Sequence, residues 1–148
     1  MAQPKVLTFF YGSYINPDVL AEVDLHPDAF EVARLCGFDL TIRPLANLIR
    51  SERHVVYGVL AEATHAELSR LYDHAEHVLG GVYLPEAVLC RREDGAFVPA
   101  LCYIASEMEA SAAKADYVER IAAPARAYGF PAWYVERIES FAPGGGGT

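Results

Sequence analysis

The chain has 148 residues, 53% of them hydrophobic and 22% charged, and carries a net charge of −8 at pH 7. That length suits one domain with a core large enough to need no staples, and the composition is that of a folded soluble chain rather than a disordered one. The acidic balance supplies no basic stripe for phosphates, which argues against a nucleic-acid partner, and no apolar run is long enough to span a bilayer.

No signal peptide is visible at the N-terminus. The three cysteines, Cys36, Cys90 and Cys102, are widely spaced and include no CxxC pair. This excludes a zinc ribbon and suits reduced thiols, hence a cytoplasmic setting. All three are expected to be small core residues.

In chain order, Val6 to Phe10 is β-branched and aromatic and too short for a helix, so it reads as a buried strand. It ends in Tyr11-Gly12-Ser13-Tyr14. A glycine there permits close backbone approach to a ligand, and Ser13 with nearby N–H groups offers donors to an anion such as a carboxylate; an ordinary strand-ending turn has the same pattern. Asn16-Pro17 opens a short helix with Asn16 as N-cap. Phe30 to Ile42 alternates as one long strand bent at Gly37, a device that curls a sheet into a barrel. A short segment from Ala46 to Ile49 precedes a polar turn at Arg50 to Arg53, and Val55 to Ala61 forms the next strand.

Thr64 to Glu67 is a capping box that opens a helix with Leu68, Leu71 and Tyr72 toward the core. That helix runs into Asp73-His74-Ala75-Glu76-His77 and a Gly80-Gly81 break. Val82 to Arg91 and Phe97 to Ala105 are strands joined by an Asp94-Gly95 hairpin turn. From Ala110 the pattern is helical, with Pro124 expected to kink or end it. Gly129 serves as a C-cap, and Pro131 starts a last helix carrying Trp133, Val135, Ile138 and Phe141. These elements give an α+β fold, a small mixed β-barrel flanked by helices, over residues 1–142, with 143–148 a flexible glycine-rich tail.

Most acidic residues sit at polar helix or turn positions. Glu76 differs, because it lies between an apolar helix face and a Gly-Gly break that frees the backbone to aim it into a cavity. An unperturbed Glu has a pKa near ~4.3, so it would be ready to accept a proton at neutral pH. A solvated loop carboxylate is the plainer reading of the same position. His74 and His77 flank it, but their spacing does not put two imidazoles on one helix face and no further ligand stands near, so no metal is assigned. The cysteines lie in apolar strands where a thiol stays protonated, and Ser13 lacks the second glycine of a nucleophile elbow. Tyr83, Tyr103, Tyr117 and Tyr134 read as core residues whose hydroxyls reach the surface.

Together, Phe10-Tyr11-Gly12-Ser13-Tyr14, Tyr57-Gly58-Val59, Asp73-x-x-Glu76 with Tyr83 seven residues on, Tyr103, Tyr117 and Gly129-x-Pro131 resemble the γ-glutamylcyclotransferase-like (AIG2-like) family from Val6 to about Pro143. The resemblance implies the same mixed barrel and a cofactor-free reaction that releases 5-oxoproline and a free amine or amino acid from a γ-glutamyl compound. It assigns the general acid/base to Glu76. It gives substrate contacts to Tyr11, Gly12, Ser13, Tyr14, Tyr83, Tyr103 and Tyr117, with a small-molecule substrate as the partner. The other reading it leaves is a non-catalytic small-ligand binder that keeps the pocket. Two departures are local: Tyr14 stands where the family usually has Asn, and His74 and His77 adjoin Glu76.

Overall fold

The first apolar run folds as strand β1, Lys5–Phe10, in the computed structural model, which describes residues 3–144. Four further strands follow: β2 Glu31–Ile42, β3 Ala46–Thr64, β4 Leu84–Arg92 and β5 Phe97–Ile104. They hydrogen-bond in the order β1-β3-β2-β4-β5 and close into a ring. The pairings are antiparallel except at the closure, where Thr8 of β1 and Leu101 of β5 pair in parallel. Four helices pack outside: α1 Pro17–Glu22, α2 His65–His74, α3 Ala115–Ala127 and α4 Ala132–Glu139. One cluster of buried side chains, drawn from strands and helices alike, forms the core.

Local signals explain most of these boundaries. Asn16 Oδ1 accepts from the Asp18 N–H at the start of α1. Thr64 and Glu67 complete a reciprocal capping box at α2. Asp94-Gly95 turns β4 into β5, with Gly95 at φ +90° and the Ala96 N–H donating to Asp94. Gly58, inside β3, lies where a Cβ would come within 2.3 Å of the Phe10 carbonyl oxygen, so β1 and β3 approach as they do only because no side chain stands there.

Several expectations are corrected. The polar stretch Arg50–Arg53 does not end a strand, because β3 runs unbroken from Ala46 to Thr64. Its register with β2 shifts between Cys36 and Phe38, so Gly37, at φ +89°, faces residues 51–54. The polar residues therefore bulge out of a continuous β3, opposite the predicted glycine of β2. Helix α3 starts at Ala115 rather than Ala110 and continues through Pro124 to Ala127. Proline there orphans the Arg120 carbonyl one turn back, and the Asn16 side-chain amide donates to that carbonyl at 3.0 Å. One residue thus caps α1 and fills the gap in α3.

Cys36 is exposed, beside the bulge, while Cys90 and Cys102 are buried as expected. Trp133 is 52% exposed and is not a core residue, whereas Tyr134 is. Of the expected tail, residues 145–148 lie outside the described residues.

Candidate active site

Beyond β1 the chain makes a 3-10 turn, Gly12–Ile15, in which every residue is buried. Gly12 adopts φ +65°, and a Cβ there would stand 2.5 Å from the Ala46 Cβ. Only glycine meets both conditions. Two backbone stations beside this turn are held by tyrosine hydroxyls. The Tyr103 hydroxyl accepts from the Tyr11 N–H at 2.9 Å and donates to the Tyr11 carbonyl at 2.7 Å. The Tyr11 hydroxyl returns a bond to the Tyr103 carbonyl, and the two rings stack at 4.7 Å. At Ala46, the Tyr117 hydroxyl accepts from the N–H at 2.9 Å and the Tyr83 hydroxyl donates to the carbonyl. Tyr117 also faces the Ser13 side chain.

Burial pushes the phenols of Tyr11, Tyr83 and Tyr103 well above their ordinary value, so each keeps its proton and stays a donor. The expectation that the hydroxyls of Tyr83, Tyr103 and Tyr134 reach the surface is overturned, since all three donate to main-chain carbonyls. Because Tyr103 takes the Tyr11 N–H, the main-chain donors at the turn's entrance are those of Gly12 and Ser13.

Tyr14 and His74, noted separately in the sequence as departures, touch. The Tyr14 hydroxyl meets His74 Nδ1 at 2.9 Å, and His74 Nε2 lies 3.3 Å from Glu22. The imidazole thus stands between a phenol and a carboxylate, and the Tyr14 hydroxyl also donates to the Leu71 carbonyl at 3.4 Å. Burial disfavours the charged form of Glu22, but Arg120 and His74 outweigh it and hold that carboxyl below its ordinary range. The chain Tyr14–His74–Glu22–Arg120 thereby joins the turn, α2, α1 and α3. Its members are far apart in sequence, and no local pattern announces the pairing.

His74 ends α2, and the next residues, Ala75–Leu79, form a π-turn. The Ala75 carbonyl accepts from both the Gly80 and Gly81 N–H groups at 2.8 Å, and Gly80 takes φ +94°. Gly81 runs so close to Leu45 and Tyr83 that a Cβ would sit 2.8 Å and 3.0 Å from them. Glu76 stands in this π-turn with its side chain 49% exposed and Oε2 3.5 Å from His77 Nε2. Among the described residues it has no hydrogen bond to the tyrosines, so the turn and its tyrosines form one buried constellation and Glu76 stands on the neighbouring segment. A cavity of about 460 Å³ adjoins that segment, lined by Leu45, Leu79, Gly81, Val82, Met108 and Glu107 among others. The buried thiols of Cys90 and Cys102 are inert here: burial pushes Cys90 up to about 12 and raises Cys102 further.

A five-stranded mixed barrel with outer helices is the fold of the γ-glutamylcyclotransferase-like class. The AIG2-like family model matches residues 55–138, and the chain belongs to the AIG2-like family. Solved structures share the fold. A gamma-glutamyl cyclotransferase is 21% identical at a TM-score of 0.78, with 95% of this chain and 89% of that one covered. An uncharacterized human protein is 23% identical at 0.76, covering 94% and 89%. A yeast γ-glutamyl cyclotransferase specific to glutathione is 14% identical at 0.57, covering 93% and 97%. A search of curated proteins finds no match.

Proposed function

We propose that this protein is a γ-glutamyl cyclotransferase, releasing 5-oxoproline and a free amine or amino acid from a γ-glutamyl compound, with Glu76 as general acid/base. The observation that carries the reading is the 2.9 Å contact between Tyr14 and His74, which brings the glycine turn alongside the segment bearing Glu76. An anion-binding turn and a carboxylate on adjoining segments are what an intramolecular aminolysis requires.

The substrate's α-ammonium, with a pKa near ~8, must lose a proton before its nitrogen attacks the γ-carbonyl. Glu76 takes that proton, the C–N bond of the five-membered ring forms, and the oxyanion collapses as the original amide C–N bond breaks. The carboxylic acid then returns the proton to the leaving nitrogen, and the second proton, shed by the ring nitrogen after attack, passes the same way. The lactam is therefore neutral, the amine departs as an ammonium and water is not consumed. The Gly12 and Ser13 N–H groups hold the substrate's carboxylate and the developing oxyanion, and the ring-closing geometry is set before reaction because the turn is already fixed. The cavity beside Gly81 suits the leaving group. Supporting these assignments are the family membership, the shared fold and the positions of the two segments.

The test is 5-oxoproline release from a panel of γ-glutamyl dipeptides and γ-glutamylamines. Release by the wild-type chain that disappears in Glu76→Gln is expected, and the best substrate identifies the leaving group. A second reading, a binder without chemistry, is favoured by one observation: Glu76 is half exposed and faces His77 rather than the tyrosines. Saturable binding of a γ-glutamyl compound with no product would select it.

A further inference from the structure

On the outside of the barrel, four side chains from four adjacent strands fall into one row. The register pairs Tyr57 of β3 with Arg34 of β2, Arg34 with Arg91 of β4, and Arg91 with Phe97 of β5. Directly paired residues present their side chains on the same face, so the row reads aromatic, cation, cation, aromatic. Like charges directly opposite destabilise a sheet, and acidic residues outnumber basic ones here by 20 to 12. Ion pairs are nevertheless made by Lys5, Arg50, Arg92, Arg120, Arg126 and Arg137, and among the described residues neither Arg34 nor Arg91 makes one.

Arg91 Nε is buried without a hydrogen-bond partner, and its guanidinium lies 5.7 Å from the centre of the Phe97 ring. A buried donor left unmade is costly, which is an unusual state for the most readily bonded cation in proteins. The row opens on a cavity of about 170 Å³ lined by Arg34, Arg91, Arg92, Tyr57, Val32 and Glu93, among others. Arg92 Nε stands 3.0 Å from Glu31, an ion pair without the alignment of a hydrogen bond. Glu93, exposed, is the one carboxylate on the lining. Tyr57 carries the half-exposed Trp133 at its edge, ring centres 6.1 Å apart.

We propose that this cavity binds a phosphate monoester: Arg34 and Arg91 straddle the phosphate, and Tyr57 with Trp133 receives a flat aromatic group on the ester. Two unpaired guanidiniums match a dianion better than the single charge of a carboxylate, and their fixed forks suit phosphate oxygens. The ligand would remove the cross-strand repulsion and give the two guanidiniums the counter-charge that no ion pair supplies them among the described residues. This site is on a different part of the barrel from the glycine turn, and the inference does not rest on the γ-glutamyl reading.

The experiment is isothermal titration at low salt with two probes, inorganic phosphate and adenosine 5′-monophosphate. Both are expected to bind, the nucleotide about tenfold tighter through a stacked base, and both more weakly as salt rises. Arg34→Gln/Arg91→Gln should abolish binding of either probe. Arg34→Gln alone, which leaves one cation in the row and relieves the repulsion, should weaken both without lowering the melting temperature. Tyr57→Leu should bring the nucleotide down to the affinity of phosphate. Equal affinity for the two probes in the wild type would overturn the aromatic half of the assignment. No saturable binding, or binding unchanged in the double variant, would overturn all of it.

Discussion

The glycine turn Gly12–Ile15 and the π-turn Ala75–Leu79 are neighbours held in opposite ways. In the first, every residue is buried, the flanking backbone groups of Tyr11 and Ala46 are each answered by tyrosine hydroxyls, and Gly12 has no room for a methyl group. In the second, only Ala75 is buried, and Gly80 has no heavy atom within 4 Å of where a Cβ would stand. Each has a glycine at positive φ, Gly12 inside the first and Gly80 closing the second, but only Gly12 is also required by packing. The difference teaches how labour divides between them. On the proposed reading, the half that would bind substrate is fixed beforehand, and the segment that would carry the base is anchored at one end, through His74, and open to solvent on the other side.

The largest effect expected from this division is on turnover. Glu76→Gln removes the proposed proton acceptor while leaving the buried turn untouched, and kcat should fall by roughly 10²–10⁴-fold. Next comes Gly12→Ala, which meets both the left-handed backbone and the Ala46 Cβ. A loss of about 3 kcal/mol in urea unfolding is expected, and turnover should fall with it. Tyr14→Phe keeps the ring and removes the hydroxyl, leaving His74 Nδ1 without its partner. About 1–2 kcal/mol of stability should be lost, with a several-fold lower kcat as the strut between the two segments loosens. Smallest is Gly80→Ala, which meets only the backbone strain at φ +94°, and about 1 kcal/mol is expected. If Gly80→Ala proved as damaging as Gly12→Ala, the contrast between a packed and an open turn would collapse.

What the sequence made legible was whatever is encoded within a few residues. The Asn16 cap, the Thr64–Glu67 box, the Gly37 bend, the Asp94-Gly95 turn and the Gly129 cap each follow from neighbouring side chains acting on the backbone. The misjudged features depend on partners distant in the chain. Residues 50–53 look like a turn until β2 pairs on both sides of them. Pro124 looks like a helix end until Asn16 arrives to satisfy the Arg120 carbonyl. The tyrosines were singled out in order and spacing, but that their hydroxyls close on the main chain of Tyr11 and Ala46 is a property of the closed barrel. Tyr14 and His74 each stood out from the family pattern; only the fold makes them one feature.

The most direct test of the division is the kinetics of Glu76→Gln beside direct titration of a γ-glutamyl substrate. The account predicts that the variant binds substrate with the wild-type affinity and releases essentially no 5-oxoproline. Wild-type turnover in the variant, or loss of binding rather than of turnover, would contradict it.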